Sequence, residues 1–156
     1  MMRFTRMQKI LIFLFIECLS LFSLSAQSNE ILDTFLDQPK ADTATTVWLI
    51  MLAGNQLPSD ATPAEAMAAF TDPRGRLKNL KPEDPVRFGN FAYIAMETLD
   101  LPGGMMYAMI PSPRYAAREF LYRDWIPGKP KTAAELTPWE VTTSLSEILA
   151  WKEGEK

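Results

Sequence analysis

The sequence predicts an all-α fold, and three observations predict it. Apolar residues recur every three or four positions in several segments; two Thr-Pro-x-Glu boxes mark helix starts; no useful length of chain alternates apolar with polar residues. With 156 residues, 47% hydrophobic and 22% charged, the chain has the composition of a folded domain.

The elements follow in order. Asn29 to Leu36 is a short helix, with Ile31, Leu32, Phe35 and Leu36 at helical spacing, and Pro39 stops it. Thr43 to Gln56 is the next, capped by Thr43 or Thr45 and closed by Gly54 and Pro58. Thr62-Pro63-Ala64-Glu65 is a capping box opening a helix to Phe70: Thr and Glu each satisfy a free backbone N–H of the other, and proline suits the first helical position. Asp72-Pro73-Arg74-Gly75 is a turn, and Leu77 to Pro85 is proline- and charge-rich connecting chain. Arg87 to Leu99 is a strong helix, with Phe88, Phe91, Ile94, Ala95 and Leu99 on one period. Pro102-Gly103-Gly104 breaks it, and Met105 to Ile110 reads as a helical turn or a buried loop. Arg114 to Trp125 is a helix ended by Ile126-Pro127-Gly128, and Thr137-Pro138-Trp139-Glu140 repeats the box at the start of a last helix running to about Trp151. Trp48 and Trp139 are expected in the core.

Before these elements stands a leader. Met1 to Lys9 carries three positive charges, Ile10 to Leu24 is mostly Ile, Leu and Phe, and small residues follow at Ser23, Ser25 and Ala26. That order is a secretory signal peptide with a mature start at Ala26 or Gln27. An uncleaved anchor would be short and hold Glu17, and lipidation at Cys18 would need a small residue where Glu17 stands. The expected location is therefore the periplasm or cell envelope of a bacterium.

Composition narrows the chemistry. Without Arg3, Arg6, Lys9 and Glu17 the chain keeps 13 basic and 18 acidic residues, a net charge of −5. This argues against nucleic acid as a partner, since duplex binding rests on a basic surface. With no histidine and one cysteine, in the leader, most nucleophile–base pairs and most zinc, copper and haem sites are removed. No cofactor, metal site or catalytic residue is expected. Glu83-Asp84, Glu97 with Asp100, and Glu153 with Glu155 are the closest acidic groupings, and helix-end or loop positions explain them as solvated carboxylates.

The chain also aligns with itself. Val86 to Leu99 matches Leu136 to Leu149 at an offset of 50, and Val47 to Leu57 matches Ala116 to Ile126 at an offset of 69, which leaves the Thr62 to Phe70 helix as an insertion. The organisation expected is a signal peptide over 1–26, an N-terminal helix and linker over 27–44, a first helical repeat unit over 45–101, a second over 102–151 and a tail over 152–156. Ala117, Leu121 and Ile126, then Leu136-Thr137, Glu140, Val141, Leu145 and Leu149, resemble the S-layer homology family of cell-envelope modules. In the earlier copy Phe91-Ala92, Ile94 and Leu99 match, with Arg87-Phe88-Gly89-Asn90 in place of the family signature, and Pro138 stands at the signature arginine position. The resemblance implies two packed helix–loop–helix units and contact with cell-wall glycopolymer. The run Gly103 to Tyr107 with Pro111 to Ala116 also looks like one in small exported spirochaetal proteins, a likeness that implies no activity.

Arg114 to Trp125 is the segment richest in recognition chemistry. At about 100° per residue, Arg114, Arg118, Leu121, Tyr122 and Trp125 fall within roughly a third of the helix circumference. Guanidinium forks take carboxylate or phosphate, and aromatic rings stack on sugar faces, so Arg114, Arg118, Tyr122 and Trp125 form a candidate binding ridge. The same spacing also fits Tyr122 and Trp125 in the core with the Arg118 stem over them. Glu119 and Arg123 stand four apart, in the order favouring a surface pair. The function expected is a non-catalytic cell-envelope binding or scaffold module whose partner is cell-wall glycopolymer or another envelope protein. A protein–protein adaptor docking through Met105 to Ile110 and the ridge is the alternative, and a small carboxylate-dependent enzyme the second.

Overall fold

A computed structural model describes residues 29–77 and 79–154. The leader and its cleavage site lie outside the described residues. The chain divides into a unit ending at Thr34 and a second unit comprising Phe35–Lys156. Seven helical segments appear among the described residues and no strand: α1 (29–36), α2 (Thr43–Ala53), α3 (Pro63–Ala69), α4 (Phe88–Thr98), α5 (Met105–Met109), α6 (Pro113–Tyr122) and α7 (Pro138–Gly154). The fold is all-α.

Three of the helices start from one backbone ring. Ala41 N–H donates to the Leu136 carbonyl at 2.9 Å, Leu136 N–H to Val86 at 3.0 Å, and Val86 N–H to Ala41 at 2.8 Å. All three residues are buried, where an unpaired backbone group would cost as much as a lost hydrogen bond, and the cycle pairs every one. Two positions after each ring residue a helix begins: α2 at Thr43, α4 at Phe88, α7 at Pro138.

Helix starts leave free N–H groups, and the ring's flanks satisfy them. Thr43 and Ala44, the first two residues of α2, donate to the carbonyls of Asp84 and Pro82; Phe88 and Gly89, the first two of α4, donate to Ala134 and Thr132. At α7 the first residue is Pro138, which has no N–H, and a side-chain box serves instead. Glu140 accepts from the Thr137 N–H at 2.7 Å, and Thr137 Oγ1 accepts from the Glu140 N–H at 3.3 Å.

The ring sets the internal register. Val86 and Leu136, matched in sequence at an offset of 50, are equivalent members of it, and Ala41 is a third. The ring joins the starts of α2, α4 and α7, and α6, matched to α2 at an offset of 69, has no member in it. The likeness of α2 and α6 lies in the chain just after them, Leu57-Pro58 and Ile126-Pro127.

Local signals fix most helix ends. α2 is capped by Asp42, whose Oδ1 accepts from the Thr45 N–H at 2.8 Å. Thr43 and Thr45, the expected caps, are buried inside the helix, with Thr43 Oγ1 donating to the Asp84 carbonyl. The helix ends at Ala53, before the predicted Gln56, because Asn55 takes a left-handed conformation and the Gln56 N–H returns to the Met51 carbonyl. α4 and α6 end the same way: Asp100 and Asp124 have positive φ, with Leu101 N–H on Met96 and Trp125 N–H on Phe120. The Thr62–Glu65 box opens α3 as predicted.

Helix α4 is the centre. Phe88, Gly89 and Phe91 to Met96 are all buried, so it is covered on more than the single face its period suggested. It packs on α6 and α2; α3 and α7 also pack on α2. Each of Phe88, Phe91 and Ile94 is fully buried and contributes about 2–3 kcal/mol of apolar transfer. Phe120 meets Phe88, Phe91 and Trp125 edge to face, and Trp125 meets Trp151 likewise at 5.0 Å.

Candidate functional site

Arg114, Arg118 and Tyr122 lie one turn apart along α6, on the side away from buried Ala116, Ala117 and Phe120. Pro113 starts the helix with its φ already helical, so Arg114 projects from the first turn. Both arginines are exposed, and among the described residues neither has a carboxylate within 4.0 Å. Tyr122 is 85% exposed. The three form an open strip of two cations and one aromatic ring.

Trp125 leaves this strip. It is 3% exposed and packs between Phe120 and Trp151. The expectation extended α6 to Trp125, but the helix ends at Tyr122, and left-handed Asp124 turns the next side chain inward. Arg123 turns with it. In place of the expected pair with Glu119, its guanidinium lies over both Trp rings and donates to the Pro102 carbonyl at 3.1 Å.

The other tryptophans divide. Trp48 is in the core as expected, and its Nε1 donates to the Ala61 carbonyl at 2.6 Å, pinning the chain before α3. Trp139 is 63% exposed, against expectation. It is the second residue of α7, and the ring fixes that helix's rotation with Val141 and Leu145 inward.

Met105 to Ile110 takes the helical-turn alternative, as the short helix α5. Tyr107 alone is buried, while Met105, Met106, Met109 and Ile110 are exposed.

Sequence reasoning missed a polar cluster under the turn after α3. Tyr93 Oη donates to Asp72 Oδ1 at 3.3 Å, and Tyr107 Oη to Glu97 Oε1 at 2.6 Å. Arg74 reaches Glu97 at 3.5 Å. Burial alone would raise the Asp72 carboxyl, but N–H donors of Leu77 and Arg74 and the Tyr93 hydroxyl hold it below the usual range. Burial, then the neighbouring carboxylates, push the Tyr93 phenol well up; burial, then the Glu97 hydrogen bond, do the same for Tyr107. Both tyrosines thus stay neutral donors. Glu97 is not the solvated carboxylate expected. The available signal was Tyr93 itself, since a tyrosine in so apolar a helix needs a partner for its hydroxyl. With Asp72 held ionised, the cluster binds a turn and α5 to α4.

A polar groove of about 420 Å³ lies beside the ring, lined among others by Thr43, Asn79, Lys81, Asp84, Arg87 and Glu135. Its charges are mixed, with Lys81 and Arg87 beside Asp84 and Glu135. Among the described residues no helix is long and apolar enough to cross a membrane. Comparison of the chain with family models, with curated proteins and with solved structures finds no match.

Proposed function

We propose that the chain is an exported, non-catalytic module of the bacterial cell envelope that holds an anionic glycopolymer or the acidic face of an envelope protein along α6. The observation that carries this reading is the strip itself: Arg114 and Arg118 exposed one turn apart, with no carboxylate within 4.0 Å among the described residues, beside exposed Tyr122. In a chain of net charge −5 after the leader, two exposed guanidiniums on one helix edge form a local exception to the charge balance. They take carboxylate or phosphate, and the ring takes a sugar face.

An S-layer-homology-like origin is supported by the backbone ring, which puts Val86 and Leu136 in equivalent places and adds Ala41. Arg87 lines the polar groove one residue before the position where that family carries its signature arginine.

The test is retention of purified protein on sacculi. Arg114→Ala with Arg118→Ala is expected to lower retention several-fold with an unchanged melt, and wild-type retention to fall as salt shortens the Debye length from about 10 Å at 0.1 M to about 3 Å at 1 M. Full retention by the folded double variant overturns the reading.

A further inference from the structure

Helix α5 presents three methionines outward. Met105 is 76% exposed, Met109 70% and Met106 46%. At about 100° per residue the three fall within roughly 100° of the circumference, and Tyr107 points the other way. Met105 and Met109 are four apart, Met106 and Met109 three, so the side chains rise from neighbouring points on one turn.

The platform is held firmly. Tyr107 is buried and donates to Glu97, and the chain before the helix closes on it: a Cβ at Gly103 would lie 2.5 Å from the Tyr107 ring. Packing accounts for little of this side, since Met105 and Met109 are mostly exposed and Met106 about half. Leucine and methionine are near equivalents as packing groups; what methionine adds is a soft, polarizable sulfur with free lone pairs.

We propose that Met105, Met106 and Met109 form a thioether site for a soft monovalent cation, Cu(I). Thioethers favour Cu(I) over the hard divalent ions, and three neutral sulfurs around one ion leave a single positive charge facing solvent. The lack of histidine, and of thiols after the leader, removes most zinc, copper and haem sites but leaves the thioethers. Among the described residues no group of three or more His, Cys, Asp or Glu competes for a metal ion. Each side chain has three rotatable bonds, so the three sulfurs can meet at one point without moving the backbone.

The test uses the full chain carrying Cys18→Ser, which removes the one thiol. It is titrated with Ag(I), a redox-stable stand-in, followed by native mass spectrometry, and then with Cu(I) against a chromogenic chelator. One ion per chain is expected. Met105→Leu with Met109→Leu should weaken binding at least ten-fold at an unchanged melt, since Leu conserves volume at exposed positions. Met67→Leu, outside α5, should change nothing. Bound Ag(I) should also slow peroxide oxidation of Met105 and Met109, read by peptide mass. Absence of one-to-one binding, or binding unchanged in the double variant, overturns the proposal; the second result would place the ion on other thioethers.

Discussion

The guanidinium carbon of Arg123 lies 5.1 Å from the centre of the Trp151 ring, joining the end of α6 to the last turns of α7 across 28 positions of sequence. Trp125 lies 4.9 Å away under the same cation, and Lys152 Nζ donates to the Leu99 carbonyl at 2.7 Å. Three helix ends are thus fastened at one place. Arg123→Ala is expected to lower stability by about 2–3 kcal/mol, from the lost cation–ring contacts and the charged hydrogen bond to Pro102. Urea titration followed by tryptophan fluorescence reads it. A loss within about 0.5 kcal/mol would show that the two Trp rings hold this junction alone.

The capping boxes of α3 and α7 share one geometry: Thr62 N–H and Thr137 N–H each lie 2.7 Å from a glutamate oxygen. Their contexts differ, since α3 has seven residues with Ala66 alone buried, and α7 stems from the ring. Thr137→Ala should cost about 1–2 kcal/mol, and Thr62→Ala about half as much. Equal losses in denaturant titrations would make α3 part of the same cooperative core.

Gly89 illustrates a close approach at a helix start. A Cβ there would lie 2.7 Å from Thr132 Cγ2 and 3.2 Å from the Thr132 carbonyl oxygen, which accepts the Gly89 N–H. Gly89→Ala gains about 1 kcal/mol of helix propensity, while displacing the neighbouring backbone costs about 1–3 kcal/mol. Net destabilisation is expected, visible as a lower melting temperature. A raised one would mean that the 132–134 segment yields freely.

Asp72 sets an acid dependence. Its folded carboxyl lies below the ordinary value, so the folded state binds its proton less readily than the unfolded chain does. The stability it contributes is present in full above the unfolded value of about 3.9, and is lost as pH falls from there through the lower folded value. Asp72→Asn is expected to flatten the stability profile in that acid range and to leave its shape near neutral pH unchanged. Urea midpoints measured across pH 2–6 give the comparison. An unaltered acid limb would place the acid sensitivity on other carboxylates.

Much of the fold was legible because its signals are local. The Thr62–Glu65 and Thr137–Glu140 boxes involve residues three apart, and the apolar period of α4 spans one helix, so each is readable without knowing any neighbour. The candidate strip was legible in part for the same reason. Arg114, Arg118 and Tyr122 share α6, where helical geometry holds; Trp125 lies beyond its end, where Asp124 breaks the projection. Trp139 misled because a large aromatic is apolar on any scale, whereas its exposure follows from the rotation of α7 about the ring.

The sequence by itself determined the all-α class, the order of the helices, most of their starts, and the shared helix face of Arg114, Arg118 and Tyr122. These are consequences of backbone geometry acting over four or five residues. Tertiary structure alone decided the ring of Ala41, Val86 and Leu136, the pairing of Asp72 with Tyr93 and Glu97 with Tyr107, the burial of Trp125, and the outward face of α5. In each, a polar group or ring takes its place from atoms 5 to 95 positions away in the chain, and the cost of an unpaired buried group fixes the arrangement only when those atoms have met.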